Sequence, residues 1–247
     1  MRTLVVVPTY NEAESIRPII DRIRRAVPEA DVLIVDDSSP DGTGRIGDEL
    51  AALDPRVSML HRPQKAGLGA AYLQGFAHAF AGGYDTVVEI DADGSHDPAE
   101  LPAMLALLTT GPADLVIGSR WVNGGRVVNW PWARRAISRS GNRYARWMLR
   151  SRIHDLTAGF RAYRTSSLRG LDRTVVSSQG YCFQVELAWR VEAAGGTVVE
   201  HPIAFVEREN GRSKMGAGIV AEALVRVTAW GVSARFGRGP MRRAATE

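Results

Sequence analysis

The chain has 247 residues, of which 45% are hydrophobic and 23% charged, with a formal net charge of +4. That balance suits one compact α/β domain and argues against a disordered chain. The single cysteine, Cys182, excludes an internal disulfide, sits in a mostly apolar stretch and reads as a small core hydrophobe, while no run of about 18 apolar residues is present to cross a bilayer.

In chain order, continuous Val/Ile/Leu runs predict strands at 3–7, 32–36, 56–60, 85–91 and 114–119, with helical periodicity at 12–26, 43–53, 67–81 and 98–109 between them. The alternation predicts a Rossmann-like, mainly parallel sheet with helices on both faces. Asp97 is a candidate N-cap and Pro98 suits a first helical turn. Asn123-Gly124-Gly125 opens a loop, 131–149 reads as an amphipathic helix, and 158–164 and 197–206 read as strands of a mixed second half. The chain opens directly on a strand-like run, so no signal peptide is expected.

Residues 1–216 are expected to form the domain and 217–247 a basic amphipathic tail. Within the tail, Ile219, Val220, Ala223, Leu224, Val227, Trp230 and Ala234 share one helical face. Such a face can lie on a membrane surface or pack on the domain, and the pattern leaves both open. Of 31 basic residues only Lys65 and Lys214 are lysine. A GC-rich genome accounts for most of the arginines as readily as function does, yet they concentrate between 120 and 173 and again in the tail, which suits anionic lipid or phosphate partners. Nucleic acid is not expected, because no base-stacking pattern or recognised module accompanies the charge.

The chemistry begins at Asp91-Ala92-Asp93, at the end of the 85–91 run. On a strand, residues i and i+2 share a face, so the two carboxylates are expected to converge on one ion. Two carboxylates suit Mg²⁺ or Mn²⁺, whose other positions are commonly filled by substrate phosphate oxygens. A plain acidic turn is the alternative. Two further polar turns, after 4–7 and after 32–35, would meet the first at the carboxyl edge of a parallel sheet, where such folds bind ligands. His96 is a poor ligand for Mg²⁺ and reads as a structural hydrogen-bonding residue; Thr43 and Asp41 read as a turn and helix cap.

With those turns the chain resembles glycosyltransferase family 2, and within it the polyprenol-phosphate (dolichol-phosphate) mannosyltransferases that lack C-terminal transmembrane helices. The likeness runs on through Val116-Ile117-Gly118-Ser119-Arg120, Asp155 to Arg161, Gly180 to Glu186, Glu207-Arg208 and Gly211 to Met215. It implies a GT-A fold and an enzyme that transfers mannose from GDP-mannose to polyprenyl monophosphate with inversion. It assigns Pro8, Tyr10, Glu12, Val35 and Asp37 to the nucleoside, and Asp91, Ala92 and Asp93 to the metal and diphosphate. Arg120, Arg208 and Lys214 are assigned to phosphates, Arg134 and Ser138 to the lipid phosphate. Asp155, Gln184 and Glu186 read as acceptor-side residues or as parts of a buried network, and their place in the family-like segments favours the site, with Asp155 acting in catalysis. Ser95 stands where some members place a metal-binding glutamine, and so is the candidate third ligand. The resemblance also implies a cytoplasmic enzyme held peripherally at the inner face of the plasma membrane, directly or through a separate integral membrane protein.

A lipid phosphate is already anionic near neutral pH, so no general base is required. Glucosyl transfer from a UDP-sugar is the nearest rival, and a non-catalytic nucleotide-sugar-binding subunit is the rival of another class.

Overall fold

The structure, a computed structural model, describes residues 1–171, 181–207 and 217–236. Five strands lie where the apolar runs predict them: β1 (Thr3–Thr9), β2 (Asp31–Asp36), β3 (Val57–His61), β4 (Thr86–Glu89) and β5 (Leu115–Ser119). Between them run α1 (Ile16–Ala26), α2 (Thr43–Leu53), α3 (Leu68–Ala81) and α4 (Leu101–Thr109). A 3-10 turn, Pro98–Glu100, leads into α4, and Asp97 caps it by accepting the Ala99 N–H at 3.0 Å. Helix α1 starts later than its pattern, because residues 12–15 turn back on themselves through Ser15 and Ile16 amides bonded to the Glu12 carbonyl.

The second half contains β6 (Arg126–Val128), α5 (Trp132–Leu149), β7 (Arg161–Arg164), α6 (Thr165–Arg169), α7 (Tyr181–Ala193), β8 (Val198–Pro202), β9 (Ala204–Val206) and α8 (Ala217–Arg235). It does not form a separate layer. The seven-stranded sheet has the order β3-β2-β1-β4-β7-β5-β8. Strand β7 is wedged antiparallel between β4 and β5, while the other neighbours in that sheet pair parallel. This insertion carries the segment before β7, residues 155–160, to the edge where β4 ends. The predicted strand at 197–206 is two strands broken at Ile203, since β9 leaves the main sheet to pair with β6.

Alternation along each strand divides the core. Val5, Val7, Val32, Ile34, Val88 and Val116 pack under α1 and α4, whereas Leu4, Val6, Leu33, Val35, Val87 and Leu115 pack under α3, α5 and α7. Helix α3 approaches β1 closely because Gly75 has no side chain; a Cβ there would stand 2.5 Å from Val6 Cγ1.

Helix α8 lies against α5 and α7. Its inner face packs on the domain: Val227 is buried, Trp230 stacks on Trp189 with ring centroids 6.2 Å apart, and Thr228 Oγ1 is 2.6 Å from the Tyr144 hydroxyl. Gly231 lies directly on α5, where a Cβ would stand 2.6 Å from the Met148 carbonyl. Its outer face is different. Leu224, Val225, Val232 and the following Phe236 are exposed, and so are Trp132, Ile137 and Trp147 on the adjoining α5. Helix α5 carries five arginines and no acidic residue. No described helix is long and apolar enough to cross a membrane.

Candidate active site

Strand β4 ends at Glu89, two residues before the acidic pair. Asp91 and Asp93 therefore do not share a strand face as expected; a turn presents them, with Gly94 at φ +74°, where only glycine is unstrained. Ser95 sets the orientation of Asp93, since its amide and hydroxyl both donate to Asp93 Oδ1, at 3.0 and 2.6 Å. Asp91 is approached by the buried Tyr72 hydroxyl at 3.4 Å and by Gly159, whose missing Cβ would stand 3.4 Å from Asp91 Oδ2. Both carboxylates and Ser95 line a cavity of about 210 Å³. Two carboxylates and a hydroxyl are hard oxygen donors, and among the described residues no cluster of three or more His, Cys, Asp or Glu forms a closed cage. That donor set fits Mg²⁺ or Mn²⁺ sharing its coordination with phosphate.

Arg120 follows directly on β5 and reaches into the same cavity. Asp155 holds it from behind: Arg120 Nε and Nη2 donate to the two carboxylate oxygens, each at 2.7 Å, and the Arg120 amide adds a third bond at 3.0 Å. Burial works to raise the Asp155 carboxyl, but the charge and hydrogen bonds of Arg120 outweigh it and hold the group below its ordinary value. Asp155 is fully buried and turned to Arg120, so its place is that of a positioning residue. Thr157 and Asn142 extend the support. Arg120 Nη2 reaches Thr157 Oγ1 at 2.9 Å, and Asn142 Nδ2 bonds Thr157 Oγ1 and the Ser138 carbonyl, both at 3.0 Å.

Behind the cavity Arg161 is wholly buried without a carboxylate partner in direct contact. Its guanidinium instead donates to the carbonyls of Leu156, Ala158 and Gln184 at 2.6–2.7 Å and to the Tyr163 hydroxyl at 3.2 Å. Nearby, burial pushes the Glu89 carboxyl up to about 8, with the Asp91 charge adding to the rise and Arg161, Gln184 and Tyr163 opposing it. For the same reason the His96 imidazole is pushed down to about 4, burial outweighing the attraction of Asp93. It is not the hydrogen-bonded residue its sequence context suggests, because its Nδ1 is buried with no partner.

The cavity's other wall comes from α5. Arg134 and Ser138, four apart, both line it, as do Ile137 and the α8 residue Leu224 at its exposed rim. Arg134 forms an ion pair with Glu207 and lies over the Trp130 ring, 4.0 Å from its centroid. Arg120 also faces that indole, at 5.4 Å. Gln184 lines the cavity from α7, but Glu186 is turned away, buried and ion-paired with Arg190 at 2.7 Å.

The residues assigned to a nucleoside lie at the edge formed by β1 and β2. Pro8 and Val35 are neighbours in register, yet the Val35 side chain is in the core, leaving only its backbone for a ligand. Tyr10 carries the Lys65 ammonium 3.6 Å above its ring, and the Glu12 carboxylate accepts from Ser15 Oγ at 2.7 Å. Asp37 pairs with the buried Arg62 and accepts the Ala66 amide at 3.2 Å. Asp36 is spent on Thr9 and Ser39, and Asp41 on Thr43 and Ala13. Arg208 and Lys214 lie outside the described residues. Reading by motif passed over Lys65, Trp130, Asn142 and Thr157. Lys65 carried a signal as one of two lysines in the chain, and Thr157 by lying in the family-like segment from Asp155 to Arg161.

A mainly parallel α/β sheet with an acidic turn and a cationic wall at its carboxyl edge is the arrangement of a GT-A-like glycosyltransferase. The chain belongs to glycosyl transferase family 2, which it matches over residues 4–171. It is 54% identical over 236 residues to the undecaprenyl-phosphate mannosyltransferase of Micrococcus luteus, covering 96% of each chain. It is 52% identical over 238 residues to the polyprenol monophosphomannose synthase of Mycolicibacterium smegmatis, covering 96% of this chain and 89% of that one. Among solved structures, glucosyl-3-phosphoglycerate synthase from Mycobacterium tuberculosis in complex with Mn²⁺, uridine diphosphate and phosphoglyceric acid superposes with a TM-score of 0.68 at 21% identity, over 96% of this chain and 78% of that one. The mannosyltransferase PcManGT from Pyrobaculum calidifontis, in complex with GDP-Man and Mn²⁺, superposes with a TM-score of 0.60 at 18% identity, over 97% and 76%. These two share the fold. The protein is thus an enzyme, a glycosyltransferase similar along nearly its whole length to polyprenol-phosphate mannosyltransferases.

Proposed function

We propose that the enzyme transfers mannose from GDP-mannose to a polyprenyl monophosphate, with a divalent cation and with inversion at the anomeric carbon. The observation that carries this reading is that one cavity is lined by Asp91, Asp93 and Arg120 on one side and by Arg134 and Ser138 on the other, with an apolar rim at Ile137 and Leu224. The first set suits a sugar diphosphate and the second a lipid phosphate. The names of the two relatives support the mannosyl group and the lipid acceptor. The GDP-Man of the archaeal structure supports the donor.

In the proposed reaction an oxygen of the lipid phosphate attacks the anomeric carbon as the bond to the GDP oxygen breaks, so that α-linked GDP-mannose gives a β-mannosyl phosphate. Asp91 and Asp93 would hold Mg²⁺ or Mn²⁺, with Ser95 acting through Asp93, and that ion would neutralise the departing diphosphate. Arg120, fixed by Asp155, adds a charge that does not reorganise during the step. Arg134 would exchange Glu207 for the acceptor phosphate, and Ser138 would add a hydroxyl donor. No residue has to remove a proton from the nucleophile. Arg208 and Lys214 remain candidates for further phosphate contacts. The exposed apolar residues of α5 and α8 and the arginines of α5 would rest on the bilayer surface.

A donor screen tests the reading. Purified enzyme, Mg²⁺ or Mn²⁺ and polyprenyl phosphate are expected to give mannosyl-lipid from GDP-mannose; glucosyl-lipid from UDP-glucose with none from GDP-mannose would replace it.

A further inference from the structure

His96 sits at the floor of the cavity in a place where an imidazole has no structural task. Its ring packs between Phe160 and Phe205, with centroids at 5.3 and 5.1 Å, so its environment is that of a phenylalanine. It is 2% exposed, and its Nδ1 is buried with no hydrogen-bond partner. An orphaned polar atom of this kind destabilises the folded chain, and a phenyl ring would avoid that cost. The ring nevertheless borders the cavity.

Opposite it lies Asp91, and between the two stands Gly159. A Cβ at Gly159 would be 3.4 Å from Asp91 Oδ2 and 3.8 Å from His96 Cε1. Glycine thus leaves open a gap of about methyl size, bounded by a carboxylate and an imidazole. Gly159 and His96 line the same cavity as Asp91 and Asp93, which suit a diphosphate, and Arg134, which suits the acceptor phosphate. What must pass between those two groups in a glycosyl transfer is the hexose.

We propose that His96 contacts the transferred sugar, hydrogen-bonding one hexose hydroxyl in the gap above Gly159 and so contributing to the choice of sugar. This rests on the nucleotide-sugar reading of the cavity. An imidazole nitrogen can bond a hydroxyl, and imidazole is a poor ligand for Mg²⁺, so His96 does not compete for the cation. Asp91, by contrast, is needed for the metal, and Ser95 is bonded to Asp93, which leaves His96 as a polar side chain beside this gap without a partner.

Two variants and a set of altered donors test it. His96→Phe keeps the aromatic packing and removes the polar edge; Gly159→Ala fills the gap at ordinary contact distances and touches no hydrogen bond. Both are expected to keep GDP affinity within about twofold by calorimetry, with an unchanged or higher Tm for His96→Phe. The loss in kcat/KM for GDP-mannose is expected to be about tenfold for His96→Phe, the size of one hydrogen bond. The decisive readout is a series of GDP-deoxymannoses. Wild type is expected to lose about tenfold on the one lacking the contacted hydroxyl, whereas His96→Phe turns over that donor and GDP-mannose alike. His96→Gln, which keeps an amide in reach of the gap, is expected to recover part of the discrimination. The proposal is overturned if His96→Phe discriminates among the deoxy donors as wild type does, or if Gly159→Ala matches wild type on GDP-mannose. Should wild type use another sugar nucleotide, the donor reading fails by itself, and the same series on that hexose decides His96.

Discussion

Asp155 grips Arg120 with both carboxylate oxygens while lying wholly out of solvent, and Arg120 carries that grip to the cavity wall. Removing one partner of such a pair leaves a buried charge without compensation, typically at about 3–5 kcal/mol. Asp155→Asn is expected to lower Tm by several degrees and kcat/KM about a hundredfold through misplacement of Arg120. Because the carboxyl is held below its ordinary value of 3.8, its stabilising effect is complete above that value and fades as pH falls below it. Urea midpoints of wild type and Asp155→Asn should therefore differ most near pH 7 and converge in acid. A constant gap across that range would contradict the pairing.

Asp91→Asn and Asp93→Asn change charge with little change of shape. Each is expected to reduce turnover at least a hundredfold with Tm within about 2 °C of wild type, and EDTA should abolish wild-type activity until Mg²⁺ or Mn²⁺ is restored. Turnover persisting in EDTA would remove the metal from the scheme.

Arg134 shares its charge with Glu207. Arg134→Ala is expected to raise the KM for polyprenyl phosphate about tenfold or more with GDP-mannose affinity unchanged, as fits one charged contact. Glu207→Gln should act oppositely, making the enzyme more sensitive to inhibition by inorganic phosphate. Equal losses for donor and acceptor in Arg134→Ala would place this arginine on the nucleotide.

Cys182 is buried, and its thiol is pushed up to about 11 by burial and then by the charge of Glu222. At pH 8 only about one thiol in a thousand would be ionised. Iodoacetamide is expected to leave the native enzyme unlabelled and active, and to add one group per chain in urea. Rapid labelling of native enzyme would show that α7 opens readily.

Trp132 and Trp147 are 81% and 65% exposed on α5. Replacing both by alanine is expected to reduce sedimentation with anionic vesicles several-fold while sparing activity on a short water-soluble acceptor. Deleting α8 is a poorer test of the same idea, since it would uncover Trp189 and Met148 and perturb the fold. Unchanged vesicle binding in the double variant would assign membrane attachment to another protein.

The parallel strands were legible because burial on both faces forces unbroken apolar runs, and the turns that follow them announced the acidic pair. Other parts left no local mark. Residues 182–191 of α7 are buried all round, so no amphipathic period betrays the helix, and Gln184 and Glu186 differ only in which way they turn. The three-residue β6 is too short to carry a pattern. The grip of Asp155 on Arg120 spans 35 positions and exists only because β7 is wedged beside β5. The acidic pair was recognised by composition while its geometry was misjudged, since β4 stops at Glu89 and the turn, not the pleat, aims the carboxylates.

The cavity rim at Ile137 and Leu224 is built by α5 and α8, the two helices that also expose Trp147 and Val225. An enzyme resting on those helices meets its acceptor in two dimensions. Its velocity would follow the mole fraction of polyprenyl phosphate in the surface, so inert lipid mixed into the same vesicles would slow it. Adding buffer at saturating enzyme adsorption would not. A Michaelis constant for this acceptor is then properly a surface density, and values taken in detergent micelles would shift with the amount of detergent.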